Sequence, residues 1–495
     1  MLRPLNSISK SLEVCASLVG ADFGDAIHGV EISGISQSSI DVIEGDLFIA
    51  LPGSNVHGAT FASDAIANGA VAVLTDRAGA ALVNGVPVLT CENPRRAAGE
   101  VSAWFYSEPM RDLFSIGVTG TNGKTTVTTL LYQIMQAIGR QSGLIGTVET
   151  RIGSDVFSSK RTTPESPELQ ALCAVMRERH MRNLIMEVSS HAISLDRIRG
   201  SHFAVVGFTN LSQDHLDFHN SMEDYFQAKA ALFTFEYADL AVINIDDAYG
   251  ARLAATTELP VLRLSRSNVK ATWRFVKIEK DNFGATIAIR GTGGVLIEGK
   301  TVLLGAFNYD NLLMSIALAV ESGVDPIDIA AVLPQLHGAT GRLEAVKLGQ
   351  AFTALVDYAH SPDAVTRVLE TAHEIASGKV IAVLGCGGDR DTSKRSMMGR
   401  ALHEGADIAI FTSDNPRSER PEDILVQMVL DIDVQAPSQI IIDRASAIRT
   451  AVTHALPGDV VLVLGKGHEL GQEIDGVVHK FDDRVELARA IENKP

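Results

Sequence analysis

Cysteine is scarce in this sequence, and long apolar runs are missing. The four cysteines (Cys15, Cys91, Cys173 and Cys386) lie far apart and form no CxxC pair. This spacing favours a reducing compartment over a disulfide framework or a zinc site. No stretch approaches the roughly 20 apolar residues of a membrane-spanning helix, and the N-terminus lacks the apolar core of a signal peptide. We therefore expect a cytoplasmic protein without a membrane span.

Positive charge is also in deficit. Lysine and arginine total 43 against 60 aspartates and glutamates, so the formal net charge is −17. Binding the phosphate backbone of nucleic acid requires a basic face, and this balance argues against a nucleic-acid partner. An anionic small molecule would have to be bound by local arginines, lysines and backbone N–H groups.

What the sequence does contain is a series of short apolar runs between helical patterns. The 495 residues are too many for one core and suggest about three domains. Unbroken apolar strands that alternate with helices are typical of parallel sheets covered on both faces, which gives the α/β class. The runs lie at 71–75, 114–118, 183–188, 240–245, 379–385, 407–412 and 459–465.

Two stretches without strand or helix periodicity, 105–112 and 333–344, are candidate linkers. They divide the chain into proposed domains at 1–108, 109–338 and 339–495. We predict three α/β domains with mainly parallel sheets, of which the last is Rossmann-like.

The stretch "IGVTGTNGKTT" at 116–126 resembles a phosphate-binding loop, with one departure from the usual pattern. The first glycine of that pattern would fall at position 118, which is Val118. Gly120 and Gly123 allow backbone N–H groups to point at phosphate oxygens, and the following helix adds its positive N-terminal end. The alternative is a glycine-rich turn with an incidental lysine, but the strand–loop–helix context favours a nucleotide site in the central domain.

Within this loop, Lys124 can reach the β- and γ-phosphates, and the hydroxyl of Thr125 can ligate Mg²⁺. A neighbouring strand ends at Glu187 in "NLIMEVSSH". A carboxylate on an otherwise apolar strand is costly unless it meets a cation or hydrogen-bond donors, so a metal role is favoured over a solvent-facing strand end. We predict that the loop residues that bind the nucleotide are Gly120, Thr121, Asn122, Gly123, Lys124, Thr125 and Thr126.

The stretch "FTNLSQDHLDFH" places Asp214, His215, Asp217 and His219 within six positions. Such a density can form a metal site, although Mg²⁺ prefers oxygen ligands. A polar loop before a helix is the other interpretation, and composition leaves both open.

Three loops of the last third carry charge after apolar strands, where open α/β sheets bind ligands. In "TSDNPRSE", Asp414 and Asn415 offer acceptors for an ammonium group, and Arg417 offers a two-pronged donor for a carboxylate. Arg390 in "GGDRD" and Glu469 in "GKGHE" add a second donor and a further acceptor. Each alone could be a strand-end turn with a surface charge, but together they suit an amino acid with more than one charged end.

These motifs together resemble the Mur ligases, the ATP-dependent amide-forming enzymes of peptidoglycan precursor synthesis. The resemblance extends over essentially the whole chain, and the loop TGTNGKT is that family's own form, which accounts for Val118. It rests, in order, on "GTNGKTT", "EVSSH", "FTNLSQDHLDFH", "AKAALF", "LLGAFNYDNLL" and "VDYAHSPDA".

The resemblance implies a catalytic set of Lys124, Glu187, His215 and Lys229. Lys124 and Thr125 would hold ATP phosphate and Mg²⁺, and Glu187 and His215 would bind metal. Lys229 matches the family's carbamylated lysine (N6-carboxylysine), whose anionic form ligates or orients a second Mg²⁺. Without the resemblance, Lys229 would be interpreted as a solvated helix residue.

By the same resemblance, ATP would lie between the central and C-terminal domains, so that domain closure assembles the site. The implied ATP contacts outside the phosphate loop are Asn308, Asn311, Arg342, Asp357, Tyr358 and His360.

In this family, "DNPR" marks members that add meso-diaminopimelate to UDP-N-acetylmuramoyl-L-alanyl-D-glutamate, whereas lysine-adding members usually lack its Asn and Arg. Diaminopimelate has a far carboxylate that lysine lacks, and an arginine facing lysine would stay unpaired. The implied diaminopimelate contacts are Arg390, Asp414, Asn415, Arg417, Gly465 and Glu469.

The N-terminal stretches "GDLFIALPG" and "GATFASDAIANGAVAVL" resemble the family's UDP-binding domain. The implied contacts to the nucleotide-sugar substrate are Ser39, Thr162, Thr163, Ser189 and Arg197. The chain departs from its relatives in the neighbours of Ser39, which are Ser38 and Ile40 instead of Asp and Arg, in His57, where Asp is common, and in Leu195, where Gln is frequent.

The implied reaction passes through an acyl phosphate, with no covalent enzyme intermediate, so Cys386 is interpreted as structural. We expect a monomer with ATP as co-substrate and Mg²⁺ as cofactor. Two other interpretations remain: a related ligase that adds lysine or resembles folylpolyglutamate synthetase, and a nucleotide-driven switch without ligase chemistry. The switch would hydrolyse ATP with no dependence on an amino acid.

Overall fold

Three β-sheets, one after another along the chain, organise the structure, a computed structural model that describes residues 1–6, 9–53, 55–281 and 284–494. They have four, eleven and six strands, and two short two-stranded sheets accompany them. Short 3-10 helices occur at Asp25–Ile27, Ser39–Asp41, Gly58–Phe61, Pro109–Asp112, Thr292–Gly294 and Leu333–Gln335.

The first sheet is parallel throughout, in the order β3-β4-β5-β6. Its strands are short and apolar, and helices cover them. The elements are β1 Lys10–Ser11, α1 Leu12–Val19, β2 Glu31–Ile32, β3 Gly34–Ser36, β4 Asp46–Ile49, α2 Ala62–Ala67, β5 Ala70–Thr75, α3 Arg77–Ala80, β6 Val88–Thr90 and α4 Pro94–Phe105.

The second sheet has the order β10-β9-β8-β11-β7-β12-β13-β14-β15-β16-β17 and is parallel from β8 to β15, with antiparallel strands at both ends. Its elements are β7 Phe114–Thr119, α5 Lys124–Ala137, β8 Ser142–Ile145, β9 Glu149–Ile152, β10 Asp155–Ser158, α6 Ser166–Glu178, β11 Asn183–Glu187, α7 Ser190–Ser194, β12 Val205–Phe208, α8 Met222–Ala230, β13 Ala241–Asn244, α9 Ala248–Thr256, β14 Val261–Ser265, β15 Trp273–Asp281, β16 Gly284–Arg290, β17 Leu296–Thr301, α10 Ala306–Glu321 and α11 Pro326–Val332.

The third sheet has the order β18-β19-β23-β20-β21-β22, and only β18 runs antiparallel to its neighbour. Its elements, with a separate hairpin of β24 and β25, are β18 Glu344–Ala345, β19 Thr353–Asp357, α12 Pro362–Ile375, β20 Val380–Cys386, α13 Ser393–Gly405, β21 Ile408–Ser413, α14 Pro421–Met428, β22 Gln439–Ile440, α15 Arg444–His454, β23 Val460–Leu464, β24 Gly471–Ile474, β25 Val477–Lys480 and α16 Asp483–Glu492.

Parallel pairing brings the ends of the functional strands together. In the central sheet β7 pairs with β11, and Glu187 lies opposite Val118, just before the phosphate loop. In the third sheet Asp357 lies opposite Leu464, so the loops after β19 and β23 leave from one edge. The predicted site residues therefore gather at the carboxyl ends of the strands.

The α/β prediction with mainly parallel sheets is confirmed by this architecture. The domain boundaries near residues 108 and 338 stay our proposal. In the part of the chain that the structure describes, no helix is long and apolar enough to cross a membrane.

A buried ion pair supports the third sheet at its functional edge. The guanidinium of Arg444 donates to both carboxylate oxygens of Asp483 at 2.7 Å, and both side chains are fully buried. Arg444 also donates to the carbonyl oxygens of Ser413 and Leu464, the last residues of two strands. The pair thus fixes the start of the loops that carry the predicted amino-acid contacts.

Replacing Asp483 with asparagine should lower the free energy of unfolding by about 3–5 kcal/mol, because it leaves a buried guanidinium without its counter-charge. Chemical denaturation would measure the loss. Glu486→Gln, in the same helix, breaks the pair with a mostly exposed Arg489 and should cost at most about 1 kcal/mol. Equal costs for the two variants would contradict this role of the buried pair.

Candidate active site

The phosphate loop has the predicted context: β7 ends at Thr119 and α5 begins at Lys124. Gly120 and Gly123 have φ angles of +146° and +89°, a region that favours glycine. A Cβ at Gly120 would overlap the hydroxyl of Thr209, and one at Gly123 would overlap the side-chain oxygen of Asn311. Both glycines are therefore required by backbone conformation and by close neighbours.

Lys124 folds back over this loop. Its ammonium donates to the carbonyl oxygens of Gly120 at 2.9 Å and Thr121 at 3.0 Å. Burial lowers the pKa of Lys124, and the charges of Glu187 and Asp214 oppose that shift. The loop thus presents a buried cation, which suits the binding of phosphate oxygens.

Glu187 is almost fully buried and meets the donors that its position requires. The hydroxyl of Thr125 donates to one carboxylate oxygen at 3.0 Å, and Thr147 donates to both oxygens through its backbone N–H and its hydroxyl. A small cavity of about 30 Å³ is lined by Thr125 and Glu187. Hydroxyl and carboxylate oxygens beside such a space are the donor set that Mg²⁺ prefers, so the residues fit the ion.

Lys229 is only 1% exposed, so the interpretation as a solvated helix residue is wrong. Its ammonium donates to the carbonyl oxygen of Gly120 at 2.9 Å and lies 4.8 Å from the centre of the Tyr225 ring. Burial lowers its pKa well below the ordinary value, and the charge of Lys124 lowers it further. The side chain therefore lies directly behind the phosphate loop.

The acidic and histidine-rich stretch forms a loop before α8. His215 has a left-handed backbone, and burial lowers its pKa to about 3, a shift that Asp214 opposes. Asp217 is exposed, and His219 is buried against the hydroxyl of Ser190 at 3.0 Å. Within the described ranges no three His, Cys, Asp or Glu side chains converge to hold a metal. The four residues therefore form no metal cluster of their own, and the metal role of Glu187 with His215 stays a prediction.

A cavity of about 430 Å³ separates the central sheet from the third one. The predicted ATP contacts that line it are Asn122, Gly123, Thr125, Thr126, Asn311, Arg342, Asp357, Tyr358 and His360. From α10, Phe307 and Asp310 also line it, whereas Asn308 turns its amide to the carbonyl oxygen of Leu304 at 2.9 Å.

Arg342 and Tyr358 form one wall of this cavity. The guanidinium lies 4.3 Å from the centre of the tyrosine ring, and its buried Nε has no hydrogen-bond partner within the described residues. The ring of His360 lies 4.6 Å from that of Tyr358. Asp357 accepts from the backbone N–H of Leu343 and of Ala359, and burial raises its pKa. An unpartnered cationic donor in a cavity is suited to an anionic ligand.

Sequence reasoning missed several residues of this cavity. Asp310 belongs to the quoted motif "GAFNYDN"; burial raises its pKa to about 6, and Arg266, 3.3 Å away, opposes that shift. Lys394, in "GGDRDTSKR", lies 3.7 Å from Asp214 of the central domain, and His360 lies 3.9 Å from the same carboxylate. Asp214 therefore brings the third domain against the loop beside Lys124. The available signal for Lys394 was its position three residues after the "GGDRD" motif.

The acceptors predicted for an ammonium group already surround one. Lys466 is fully buried, and its ammonium donates to the side-chain oxygen of Asn415 and to Glu469, both at 3.0 Å. Asp414 lies 4.0 Å away, and a Cβ at Gly465, whose φ is +110°, would lie 2.6 Å from its carboxylate. Four of the predicted residues therefore form one cluster around a lysine that the sequence reasoning overlooked.

The two predicted arginines meet at Gly387. A Cβ there would lie 3.1 Å from Nη1 of Arg417 and 3.8 Å from Cγ of Arg390. Arg390 is exposed. Arg417 has a left-handed backbone, donates to the carbonyl oxygen of Gly388 at 2.6 Å and lies 3.4 Å from the carboxylate of Glu473. Both arginines therefore adjoin Gly387, and the guanidinium of Arg417 is the nearer of the two to it.

The loops that carry these arginines are tied together by a further ion pair. Arg395 is buried and donates to both carboxylate oxygens of Glu419 at 2.7 and 2.8 Å. Glu419 also accepts from the backbone N–H of Asp389, next to Arg390. Because this pair joins positions distant in sequence, no local motif could have revealed it.

The predicted nucleotide-sugar contacts fall in two places. Thr163 donates to the backbone oxygen of Glu187 at 2.9 Å and lies 3.4 Å from the hydroxyl of Ser189. Thr162 lies 3.0 Å from the hydroxyl of Thr147, which in turn donates to the carboxylate of Glu187. Ser39 opens a 3-10 helix in the first domain, away from this group in the sequence.

Fold and site together define a class: a P-loop protein with three main α/β sheets, in which a cavity beside the phosphate loop lies between the central and third sheets. Comparison with known proteins makes the class specific. The profile of the Mur ligase middle domain matches residues 118–319. Those of the Mur ligase glutamate ligase domain and the Mur ligase family catalytic domain match residues 341–467 and 27–106.

Individual relatives agree along the whole chain. A protein of Streptomyces coelicolor named UDP-N-acetylmuramoyl-L-alanyl-D-glutamate--2,6-diaminopimelate ligase is 47% identical, covering 99% of this chain and 98% of the relative. A Corynebacterium efficiens protein of the same name is 42% identical, covering 97% of this chain and 94% of the relative. A solved structure titled with that name is 34% identical at a TM-score of 0.66, covering 93% of this chain and 95% of the other. MurF from Thermotoga maritima, solved with ADP, is similar in fold at 17% identity and a TM-score of 0.64, with 93% and 97% covered.

The chain belongs to the Mur ligase family. It is accordingly an ATP-dependent ligase that forms a carbon–nitrogen bond, and the predicted resemblance is confirmed.

Proposed function

We propose that this enzyme adds meso-diaminopimelate to UDP-N-acetylmuramoyl-L-alanyl-D-glutamate in peptidoglycan precursor synthesis. The observation that carries the proposal is the contact between Lys394 and Asp214, because it brings the first turn of α13, which follows the "GGDRD" loop of the amino-acid pocket, against the loop beside Lys124. An amine held in that pocket would then lie next to the transferred phosphate. The name shared by the relatives supports the same substrates.

The reaction has two steps. The γ-carboxylate of the D-glutamyl residue attacks the γ-phosphorus of ATP, which forms an acyl phosphate and releases ADP. The free amine of diaminopimelate then attacks the acyl carbon, and the tetrahedral intermediate expels inorganic phosphate as the amide forms. Lys124 stabilises the charge that builds on the transferring oxygens in the first step.

Mg²⁺ is the implied cofactor, and when bound it would neutralise charge on the ATP phosphates. Thr125 and Glu187 would hold it, with His215 as a further ligand, and a carbamylated Lys229 would ligate or orient a second Mg²⁺. The low pKa of Lys229 supports carbamylation, since only a neutral amine reacts with carbon dioxide. We propose that ATP occupies the cavity lined by Arg342, and that the enzyme acts as a monomer.

The amino acid would be bound by the two charged clusters of the third domain. Its α-ammonium and α-carboxylate, and the second pair at its far end, match the acceptors Asp414 and Glu469 and the donors Arg390 and Arg417. Buried Lys466 compensates part of the negative charge among these acceptors. A ligand carboxylate would replace Glu473 beside Arg417.

Phosphate release from ATP tests this function directly. With the nucleotide-sugar substrate present, we expect release that depends on meso-diaminopimelate and is much slower with L-lysine or no amino acid. Release that is indifferent to the amino acid would instead support the nucleotide-driven switch, and equal rates with lysine would support a lysine-adding ligase.

Arg417→Gln should raise the KM for diaminopimelate by about 10- to 100-fold, since a hydrogen bond to a charged group is worth about 1.5–3 kcal/mol. The KM for ATP should not change, and discrimination against lysine should fall. Arg420→Gln, in the same loop but exposed and paired with Glu422, is the matched control. Steady-state kinetics with each amino acid would measure these changes. An unchanged preference for diaminopimelate over lysine would refute the assignment of Arg417.

A further inference from the structure

Three arginines converge on one carboxylate at the border of the first and central domains. Nε of Arg197 lies 2.8 Å from Glu165, and Arg95 and Arg161 lie 3.8 and 3.9 Å from it. Glu165 is the only carboxylate in an ion pair with any of the three among the described residues. The group, which we call the arginine cluster, therefore has two positive charges in excess.

The N–H donors of the arginine cluster are also only partly paired. Nη1 of Arg95 is buried and has no hydrogen-bond partner within the described ranges, and the buried Nε of Arg197 has Glu165 as its ion-pair partner. The side chains of these two arginines are 25% and 16% exposed, so bulk water reaches them poorly. Burial lowers the pKa of Arg197, and the charges of Arg161 and Arg95 lower it further while Glu165 opposes them. Like charges held close together beside an unpaired buried donor cost folding free energy unless an anion binds to them.

Helix packing fixes the position of the backbone at Arg95. Arg95 and Gly99 lie four residues apart on one face of α4. A Cβ at Gly99 would lie 2.6 Å from the backbone oxygen of Arg199, and one at Gly200 would lie 2.7 Å from that of Gly99. This close contact holds α4 of the first domain against the central domain and directs Arg95 to its border.

The arginine cluster also lies on the path that the proposed substrate must take. Thr162 and Thr163, which follow Arg161, reach Glu187 beside the phosphate loop. In the other direction, Lys160 is close enough to Asp41 to lower the pKa of that carboxyl, after the larger effect of the N-terminal ammonium. Asp41 belongs to the 3-10 helix that begins at Ser39. The segment 160–163 thus connects the two places where the nucleotide-sugar contacts are predicted.

We propose that Arg95 and Arg161 complete, with Arg197, a binding site for an oxyanion of the nucleotide-sugar substrate, a carboxylate or a phosphate, with Glu165 as the counter-ion that holds the site in the absence of substrate. This inference rests on the proposed function for the identity of the substrate. It assigns Arg95 and Arg161 to substrate specificity, and it makes the border between the first two domains part of the substrate site.

The test compares Arg95→Gln and Arg161→Gln with Arg96→Gln. Arg96 is the next residue of α4, is mostly exposed and pairs with Glu100, so the control removes the same charge from the same helix turn. Each cluster variant should raise the KM for the nucleotide-sugar substrate at least about ten-fold, with the KM for ATP and diaminopimelate unchanged. The control should behave as the wild type. An unchanged KM in both cluster variants would overturn the proposal.

If the ion pair between Arg95 and Glu165 were purely structural, the variants would affect the enzyme differently. Glu165→Gln distinguishes the two cases. If Arg95 and Glu165 only clamp the domains, Arg95→Gln and Glu165→Gln should impair the enzyme alike. If the arginine cluster binds an anion, removal of the competing carboxylate should leave the substrate KM unchanged or lower it, whereas Arg95→Gln raises it. Parallel losses in the two variants, with matching losses in melting temperature, would therefore overturn the proposal.

Calorimetry with the wild type and Arg95→Gln identifies the anion and separates this inference from the proposed function. UDP-N-acetylglucosamine carries the diphosphate without the peptide, and L-alanyl-D-glutamate carries the carboxylates alone. Weaker binding of the first probe to the variant assigns the site to the diphosphate, and weaker binding of the second assigns it to a carboxylate. If the wild type binds these probes more tightly than the variant but shows no diaminopimelate-dependent activity, the proposed function fails and the oxyanion site stands. Equal binding by the wild type and the variant overturns the site.

Discussion

Replacing Lys124 with methionine should lower kcat by about 10³-fold, because the transferring phosphate loses its buried cation. The ammonium lies against the carbonyl oxygens of Gly120 and Thr121, where no solvent cation can easily substitute for it. Phosphate release at saturating substrates measures the loss.

Protein stability separates this effect from misfolding. Burial lowers the pKa of Lys124, which means that its charged form costs folding free energy. Lys124→Met should therefore melt at the same temperature as the wild type or higher. Lys300→Met, at an exposed position of β17, should retain full activity. An active Lys124→Met enzyme would contradict the role of the phosphate loop.

Replacing Lys229 with alanine should lower kcat by about 10²- to 10³-fold. A loss of this size is typical of removing one electrostatic contact to the reacting groups. The amine is buried beside Lys124, and burial lowers its pKa well below the ordinary value, which favours the neutral amine. A neutral amine adds to carbon dioxide to form a carbamate and releases one proton. The side chain thereby changes from a neutral amine to an anion that can serve Mg²⁺.

Carbon-13 NMR of the protein equilibrated with labelled bicarbonate should show a carbamate signal that is absent from Lys229→Ala. Because the carbamate needs the neutral amine, its signal and the activity should both fall as pH drops through the lowered pKa. Lys300, at an exposed position of β17, should give no signal. Full activity of Lys229→Ala, or a wild type without the signal, would refute this account.

Local patterns predicted the phosphate loop and the parallel strands well, since each depends on residues adjacent in sequence. Gly120, Gly123 and Lys124 carry their geometry in one strand–loop–helix unit. The same is true of Glu187, whose position at the end of an apolar strand required donors, which Thr125 and Thr147 supply.

Other features depend on contacts between distant residues and could not be derived from local sequence. Lys466 is buried among Asn415 and Glu469, yet its own motif contains no sign of burial. The burial of Lys229 followed from family resemblance and not from the residues. The antiparallel strands β15 to β17 at the edge of the central sheet were likewise not predicted, because they carry many polar residues and do not form unbroken apolar runs.

The central claim is that the chain activates a carboxylate as an acyl phosphate and transfers it to diaminopimelate. Labelling the γ-carboxylate of the nucleotide-sugar substrate with oxygen-18 tests it most directly. We expect each inorganic phosphate released to carry one labelled oxygen, and one amide product with the mass of the diaminopimelate adduct to form per phosphate. Unlabelled phosphate would mean that water, and not the substrate carboxylate, attacks ATP, and it would contradict the account.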